Sequence, residues 1–349
     1  MRCRLLMLLP VLGLAADGPA PAAKAYLDAA IQIMQEHFLY KDRVDWAQLK
    51  TEALAAAGNA QTSVETYAAI RVALAKLGDH HSYLQLTPEL MRQEGASGIQ
   101  ASGPASGPSR NPLPSPFRTR RVPEGAMVAG AAKPIAQLVI PMFSGPDLDG
   151  FATRIQEVIA QLTAKNPCGW IVDLRGNGGG NIWPMLAGVG PLLGDGEPFG
   201  ILTAAGKKEM RYYERGQAGV RADQERPYYV RTMVEPVRLK DTPPVAVLID
   251  RETGSSGEGI AIAFRGRAQT RFFGETTFGA AKSTFPFKLS DGAQIYLVTG
   301  VMVDRNGNEY LTGVQPDEEI LSEFSIASHD PVIGRAAEWL AGREACRAR

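Results

Sequence analysis

The chain has 349 residues, 45% of them apolar and 21% charged, and its 37 basic side chains match its 37 acidic ones. That length and composition suit a globular protein with one large core or two ordinary ones. The charge balance gives no electrostatic footprint for nucleic acid, and no basic run is long enough for a membrane-surface patch.

The first residues, MRCRLLMLLPVLGLAADG, place Arg2 and Arg4 ahead of an apolar run from Leu5 to Leu14, with small residues after it. This is the layout of a secretory signal peptide over residues 1–16, cleaved after Ala15 or Ala16, and the run is too short to span a bilayer. No later stretch reaches spanning length, so a soluble exported protein, periplasmic or extracellular, is expected. After cleavage only Cys168 and Cys346 remain. They can form one disulfide at most, and the sequence leaves their pairing open. The NPCGW context reads as a small buried thiol at the mouth of a strand. No CxxC or His/Cys cluster has metal-ligand spacing, so no zinc site is expected.

Residues 17–93 read as a helical domain. Tyr26, Ala29, Ile33 and Met34 recur at helical spacing, and Ser63 followed by Glu65 and an apolar face through Leu77 reads as a second helix stopped by Gly78. Residues 94–134 contain GASGIQASGPASGPSRNPLPSPF, too poor in apolar periodicity to bury a core, and read as a flexible insertion. From residue 135 to 325 strands and helices alternate. IAQLVIP, GWIVDL and VAVLID read as buried strands, Leu148–Ala164 and Asn181–Leu193 as helices, and this alternation implies a largely parallel α/β core. Late strands follow, with turns at Asp291–Gly292 and Asn306–Gly307. A terminal helix near Pro331–Ala341 closes residues 326–349.

Two corners of this core carry chemistry. In VAVLIDRETGSSGEGIAIAF, Ser255 and Ser256 stand where a buried strand ends and a helix begins. A helix cap explains such hydroxyls, and so does a nucleophile placed where free backbone N–H groups favour a developing oxyanion. In DLRGNGGGN, Asp173–Asn181, three consecutive glycines follow a strand and precede a helix. No Lys-Ser/Thr follows and the GxGxxG spacing is absent, which argues against a nucleotide. Bare N–H groups facing a negative oxygen fit better, although a tight turn would also use glycine. Both corners lie at carboxyl ends of strands, where α/β sheets bind ligands. A hydroxyl on one and N–H groups on the other suit acyl transfer.

The stretches LGDHHSYL, WIVDLRGNGGGN, VLIDRETGSSGE, FFGETTFGAAKS and TGVQPD together resemble the tail-specific, or carboxyl-terminal processing, proteases of peptidase family S41, in the family's order across most of residues 70–320. The resemblance implies a crotonase-like α/β core, a peptide or protein substrate, no cofactor, and Ser255 as nucleophile. It further implies an oxyanion hole from the N–H groups of Ser256 and of Gly178 or Gly179. Many members carry a PDZ domain where this chain has only the Gly/Ser/Pro stretch, so none is expected here. Ser–Lys members place lysine directly after TFG. Here that position is Ala280, and the nearest lysine is Lys282. The histidine-using branch, that of the tricorn core protease, implies His81 as base, from Asp79-His80-His81-Ser82, with Glu309 near the position of the orienting acid. His37 and His80 read as structural. The expected function is therefore an exported serine-type endopeptidase working through an acyl-enzyme on Ser255. The alternatives are a catalytically inactive crotonase-fold protein binding an apolar ligand, and acyl-CoA chemistry, against which the export signal counts.

Overall fold

The computed structural model describes residues 18–79, 81–96, 116–220, 229–231, 235–239, 241–321 and 330–347. The expected signal peptide, His80, His329 and the Gly/Ser/Pro run at 97–115 lie outside the described residues. The chain divides into two compact units, Met1–Ser109 with Thr284–Val298, and Arg110–Ser283 with Thr299–Arg349.

The first unit is built on helices Pro21–His37, Trp46–Ala57, Tyr67–Lys76 and Pro88–Ala96. Pro21 suits the first helical position, and the Asp45 side chain accepts the Gln48 N–H at 2.9 Å. Ser63 does not open a helix directly: Val64–Thr66 is a 3-10 turn and the α-helix starts at Tyr67. Leu27, Ile31, Met34, Leu49, Tyr67 and Ile70 share a core with Ile295, Leu297 and Val298 from the late segment. Tyr83–Gln85 pairs antiparallel with Gln294–Tyr296. Asp291 accepts the hydroxyls of Tyr26 and Tyr67, each at 2.7 Å. Burial, and then the carboxylate, push both phenols above their ordinary pKa.

The second unit contains a six-stranded sheet in the order Glu318–Glu319, Thr270–Gly274, Val245–Ile249, Gly169–Asp173, Ile135–Val139, Glu124–Met127. All neighbours are parallel except the last pair. Alternate residues face opposite layers, as strand geometry requires. Ala136, Leu138, Trp170, Val172, Val245, Val247 and Ile249 pack against helices Leu148–Thr163, Ile182–Leu193 and Ser256–Phe264. Ile135, Ile171, Ala246, Leu248 and Phe273 face the helix Pro331–Ala341 through Val332, Ala336 and Leu340. Cover on both faces explains why these strands read as unbroken apolar runs. A second set of strands, Gly196–Thr203, Lys208–Glu214, Gln217–Val220 and Tyr229–Arg231, forms an antiparallel meander. Gly300–Asp304 pairs with its first strand. The helices are thus covered on their other side too, by Phe199, Ile201, Ala218, Val230 and Met302.

Two expectations change. The stretch 94–134 is not an insertion throughout, because Glu94 lies in the helix Pro88–Ala96 and Glu124–Met127 is an edge strand paired with Ile135–Val139. Cys168 is not a buried thiol: it forms a disulfide with Cys346, in the helical turn Glu344–Arg347.

Candidate active site

Strand Val245–Ile249 ends in a corner, Asp250–Ser255, and restarts as the helix Ser256–Phe264. Ser255 is the N-cap of that helix, with φ +50° and ψ −116°. A side chain disfavours this conformation, by about 1–3 kcal/mol, so the surroundings must hold it. Such a strained strand-to-helix turn is also the way a reactive serine is lifted clear of a sheet.

The holding group is Glu258, which is fully buried. Its carboxylate accepts the Ser255 N–H at 2.9 Å, the Thr277 hydroxyl at 2.6 Å, and the Gly279 and Ala280 N–H groups at 2.8 Å each. Burial pushes the Glu258 carboxyl pKa up, and these donors oppose the shift. One side chain therefore fixes the serine and also the loop Glu275–Ala281.

The glycine loop is pinned to the same corner. Asp250, also buried, accepts the N–H groups of Gly176 (3.0 Å), Glu252 (3.1 Å) and Thr253 (2.9 Å), and burial raises its pKa. The Thr253 hydroxyl reaches the Leu174 carbonyl at 2.9 Å, and the Gly254 N–H donates to the Asn177 carbonyl at 2.9 Å. At the base of the loop, Asp173 is fully buried against Arg175 (Nη2–Oδ2 2.8 Å), which also meets Asp330 at 2.8 Å. Burial would raise the Asp173 pKa, but Arg175 and Arg120 hold it below the usual carboxylate value.

Of the three expected oxyanion donors, two are committed elsewhere. The Gly178 N–H donates to the Gly176 carbonyl at 3.1 Å, and the Gly179 N–H to Asn177 Oδ1 at 3.0 Å. Among the described residues the Ser256 N–H, at the start of the helix, has no acceptor, while the Ser256 hydroxyl donates to the Gly180 carbonyl at 2.6 Å. Gly179 still belongs to the site, but as space. A Cβ there would lie 2.9 Å from Ser255 Cβ and 3.2 Å from Ser256 N, and its φ of +114° already demands glycine. The glycine thus keeps open a position within hydrogen-bond reach of the uncommitted amide.

His81 lies in the first unit, half-buried, in a turn where Asp79 Oδ1 accepts the N–H groups of His81 (2.7 Å) and Ser82 (2.8 Å). The Ser82 hydroxyl accepts the Val298 N–H at 3.0 Å. Glu309 lies in the second unit, exposed and bridged to Val303, and among the described residues its carboxylate has no hydrogen bond or ion pair. Lys282 is half-buried at the start of the strand Lys282–Lys288. The sequence reading missed the structural work of Glu258, Asp250, Thr253 and Asn177. Their signal was short polar residues inside otherwise apolar strand–helix corners.

The profile of Peptidase family S41 matches residues 134–320, more than half of the chain. The chain is 26% identical over 292 residues to the Nisin-resistance protein of Lactococcus lactis subsp. lactis, covering 83% of this chain and 80% of that protein. It is 24% identical over 183 residues to the carboxy-terminal processing protease CtpA of Bacillus subtilis (strain 168), covering 52% of this chain and 34% of that protein. Among solved structures, a lipoprotein from Streptococcus agalactiae aligns with a TM-score of 0.65 at 20% identity, over 97% of this chain and 99% of that one. The photosystem II D1 C-terminal processing protease aligns with a TM-score of 0.59 at 17% identity, over 94% and 99%. A strained serine at a strand–helix corner, beside a glycine loop, is thus found inside the segment that matches the profile, and the chain belongs to peptidase family S41, the serine-type peptidases.

Proposed function

We propose that the chain is an exported, histidine-type endopeptidase on a crotonase-like core, with Ser255 as nucleophile. The observation that carries this reading is the Ser255 corner, a serine held at positive φ beside an uncommitted helix N-terminal amide and the open space at Gly179. Ser255 Oγ attacks the scissile carbonyl while its proton passes to the base, and the oxyanion is met by the Ser256 N–H. Collapse returns the proton to the leaving amine and leaves an ester on Ser255, which water then hydrolyses. His81 is the proposed base, on the strength of the Asp79–Ser82 stretch and its place in the family's motif order; no role is assigned to Glu309. The export reading rests on the pattern of residues 2–16, and the Cys168–Cys346 disulfide, a bond that persists in oxidising compartments, supports it. Similarity to a protein named for nisin resistance makes nisin a first substrate to assay.

The test is a fluorophosphonate probe, with the labelled residue located by mass spectrometry, alongside His81→Ala and Lys282→Ala assayed on one peptide. Labelling of Ser255, loss of turnover in His81→Ala and retention in Lys282→Ala are expected. Retained turnover in His81→Ala with loss in Lys282→Ala would restore a Ser–Lys dyad. An unlabelled Ser255 in a folded, inactive chain would leave the ligand-binding alternative.

A further inference from the structure

Phe278 is 72% exposed, the most exposed of the large apolar side chains among the described residues. Isolated exposed apolar residues are ordinary on protein surfaces. This one differs in where it stands and in how its backbone is held. Its N–H donates to the Thr253 carbonyl at 2.9 Å, two residues before Ser255. A Cβ built on Gly254 would lie 3.4 Å from Phe278 Cβ, so the aromatic stem stands directly over the residue preceding the serine. On either side the loop is tied to Glu258, through the Thr277 hydroxyl and through the Gly279 and Ala280 amides. Thr277 is further locked to Val314, whose N–H donates to the Thr277 hydroxyl at 2.8 Å while the Thr277 N–H donates to the Val314 carbonyl at 3.1 Å. On this fixed backbone the ring is presented outward, at the nucleophile's corner.

We propose that Phe278 is a specificity-determining residue, an apolar wall that receives an apolar side chain of the substrate residue flanking the scissile bond. The inference rests on Ser255 being the nucleophile, since it is the distance to that corner that gives the ring its meaning. A ring on a fixed backbone has only its two side-chain torsions left to order on binding, so it offers a large apolar contact at small entropic cost. Because Glu258 bonds to the Ser255 N–H, to the Thr277 hydroxyl before Phe278 and to the Gly279 and Ala280 N–H groups after it, the wall and the reacting atom are held in one register.

The test compares the wild type, Phe278→Ala and Phe278→Leu on a random-sequence peptide mixture, with cleavage sites read by mass spectrometry and fluorophosphonate labelling of Ser255 followed in parallel. The wild type should cut next to apolar residues preferentially. Phe278→Ala should lose that preference, with kcat/KM for apolar sites falling by about tenfold or more. Phe278→Leu should keep the preference, and all three should label at the same rate. A wild type without apolar preference, or a Phe278→Ala variant that retains it, would overturn the inference alone. Labelling that falls in step with cleavage in Phe278→Ala would overturn it too, by showing a damaged corner rather than a lost contact. Cleavage that survives Ser255→Ala would remove the nucleophile assignment and this inference together.

Discussion

At the scale of single residues, Glu258 serves as an acceptor for four donors, and only an ionised carboxylate can satisfy all of them. Glu258→Gln would turn an amide NH2 toward backbone N–H groups. A fall in kcat of about tenfold or more is expected, with KM little altered and Ser255 labelling slowed in step. An unchanged kcat would relegate Glu258 to packing. The pH dependence has two opposite signs. Burial places the folded pKa above the unfolded one, so the folded chain binds this proton first, and the group's contribution to stability falls as pH rises between the two values. Activity should move the other way, falling as acidification protonates the carboxylate at a pH above the ordinary value of ~4.3. Gly179 is the second residue-scale test. Gly179→Val would fill the space beside Ser256 N, and turnover should drop on the order of a hundredfold, by more than any loss of melting temperature explains. Proportionate losses of both would mark the loop as structural.

At the scale of elements, the serine helix and the glycine loop interlock backbone to backbone. A Cβ at Gly257 would sit 2.3 Å from the Asn177 carbonyl oxygen, which is itself held by the Gly254 N–H. Gly257→Ala should therefore push the loop away from the corner. It should cost about 1–3 kcal/mol by thermal melting and also slow fluorophosphonate labelling, whereas a change in stability alone would show the helix shifting without the loop. These elements were legible because their residues satisfy one strong pattern each. Val245–Ile249 is wholly apolar since both its faces are covered, and Leu148–Thr163 shows its buried stripe at Phe151, Ile155, Val158, Ile159 and Leu162. Glu124–Met127 carries no such pattern, since Glu, Gly, Ala and Met have weak strand preference, and it pairs because Ile135–Val139 offers an open edge. The meander from Gly196 to Val220 also escaped, because its strands are only partly buried and mix exposed charges with core residues. Within the site, the serine corner was readable from its sequence, but the commitment of the Gly178 and Gly179 amides was not. It depends on a turn closing on Gly176 and on the Asn177 side chain folding back, which composition does not announce.

At the scale of the molecule, the Cys168–Cys346 bond closes a separation of 178 residues within the second unit. In the chain-entropy picture a loop of that length is worth about 5 kcal/mol, so reduction, or Cys168→Ser with Cys346→Ser, should lower the melting temperature by roughly 10 °C. An unchanged melting temperature under reducing conditions would assign the bond no part in stability. The linear domain borders drawn from sequence, a helical region to residue 93 and a core from 135 to 325, miss one thing that no local pattern reveals. Thr284–Val298 follows the loop that flanks the serine, yet it belongs with the first unit. That return has a consequence for assembly. The Tyr26 and Tyr67 hydroxyls bond to Asp291, 265 and 224 residues further along, and Leu289, Ile295 and Leu297 complete the core around the early helices. Those helices are made before the segment 284–298, and until it follows they are without their hydroxyl acceptor and part of their apolar cover. A core so arranged depends on contacts far apart in sequence, so the first unit can close only after the segment 284–298 has been made.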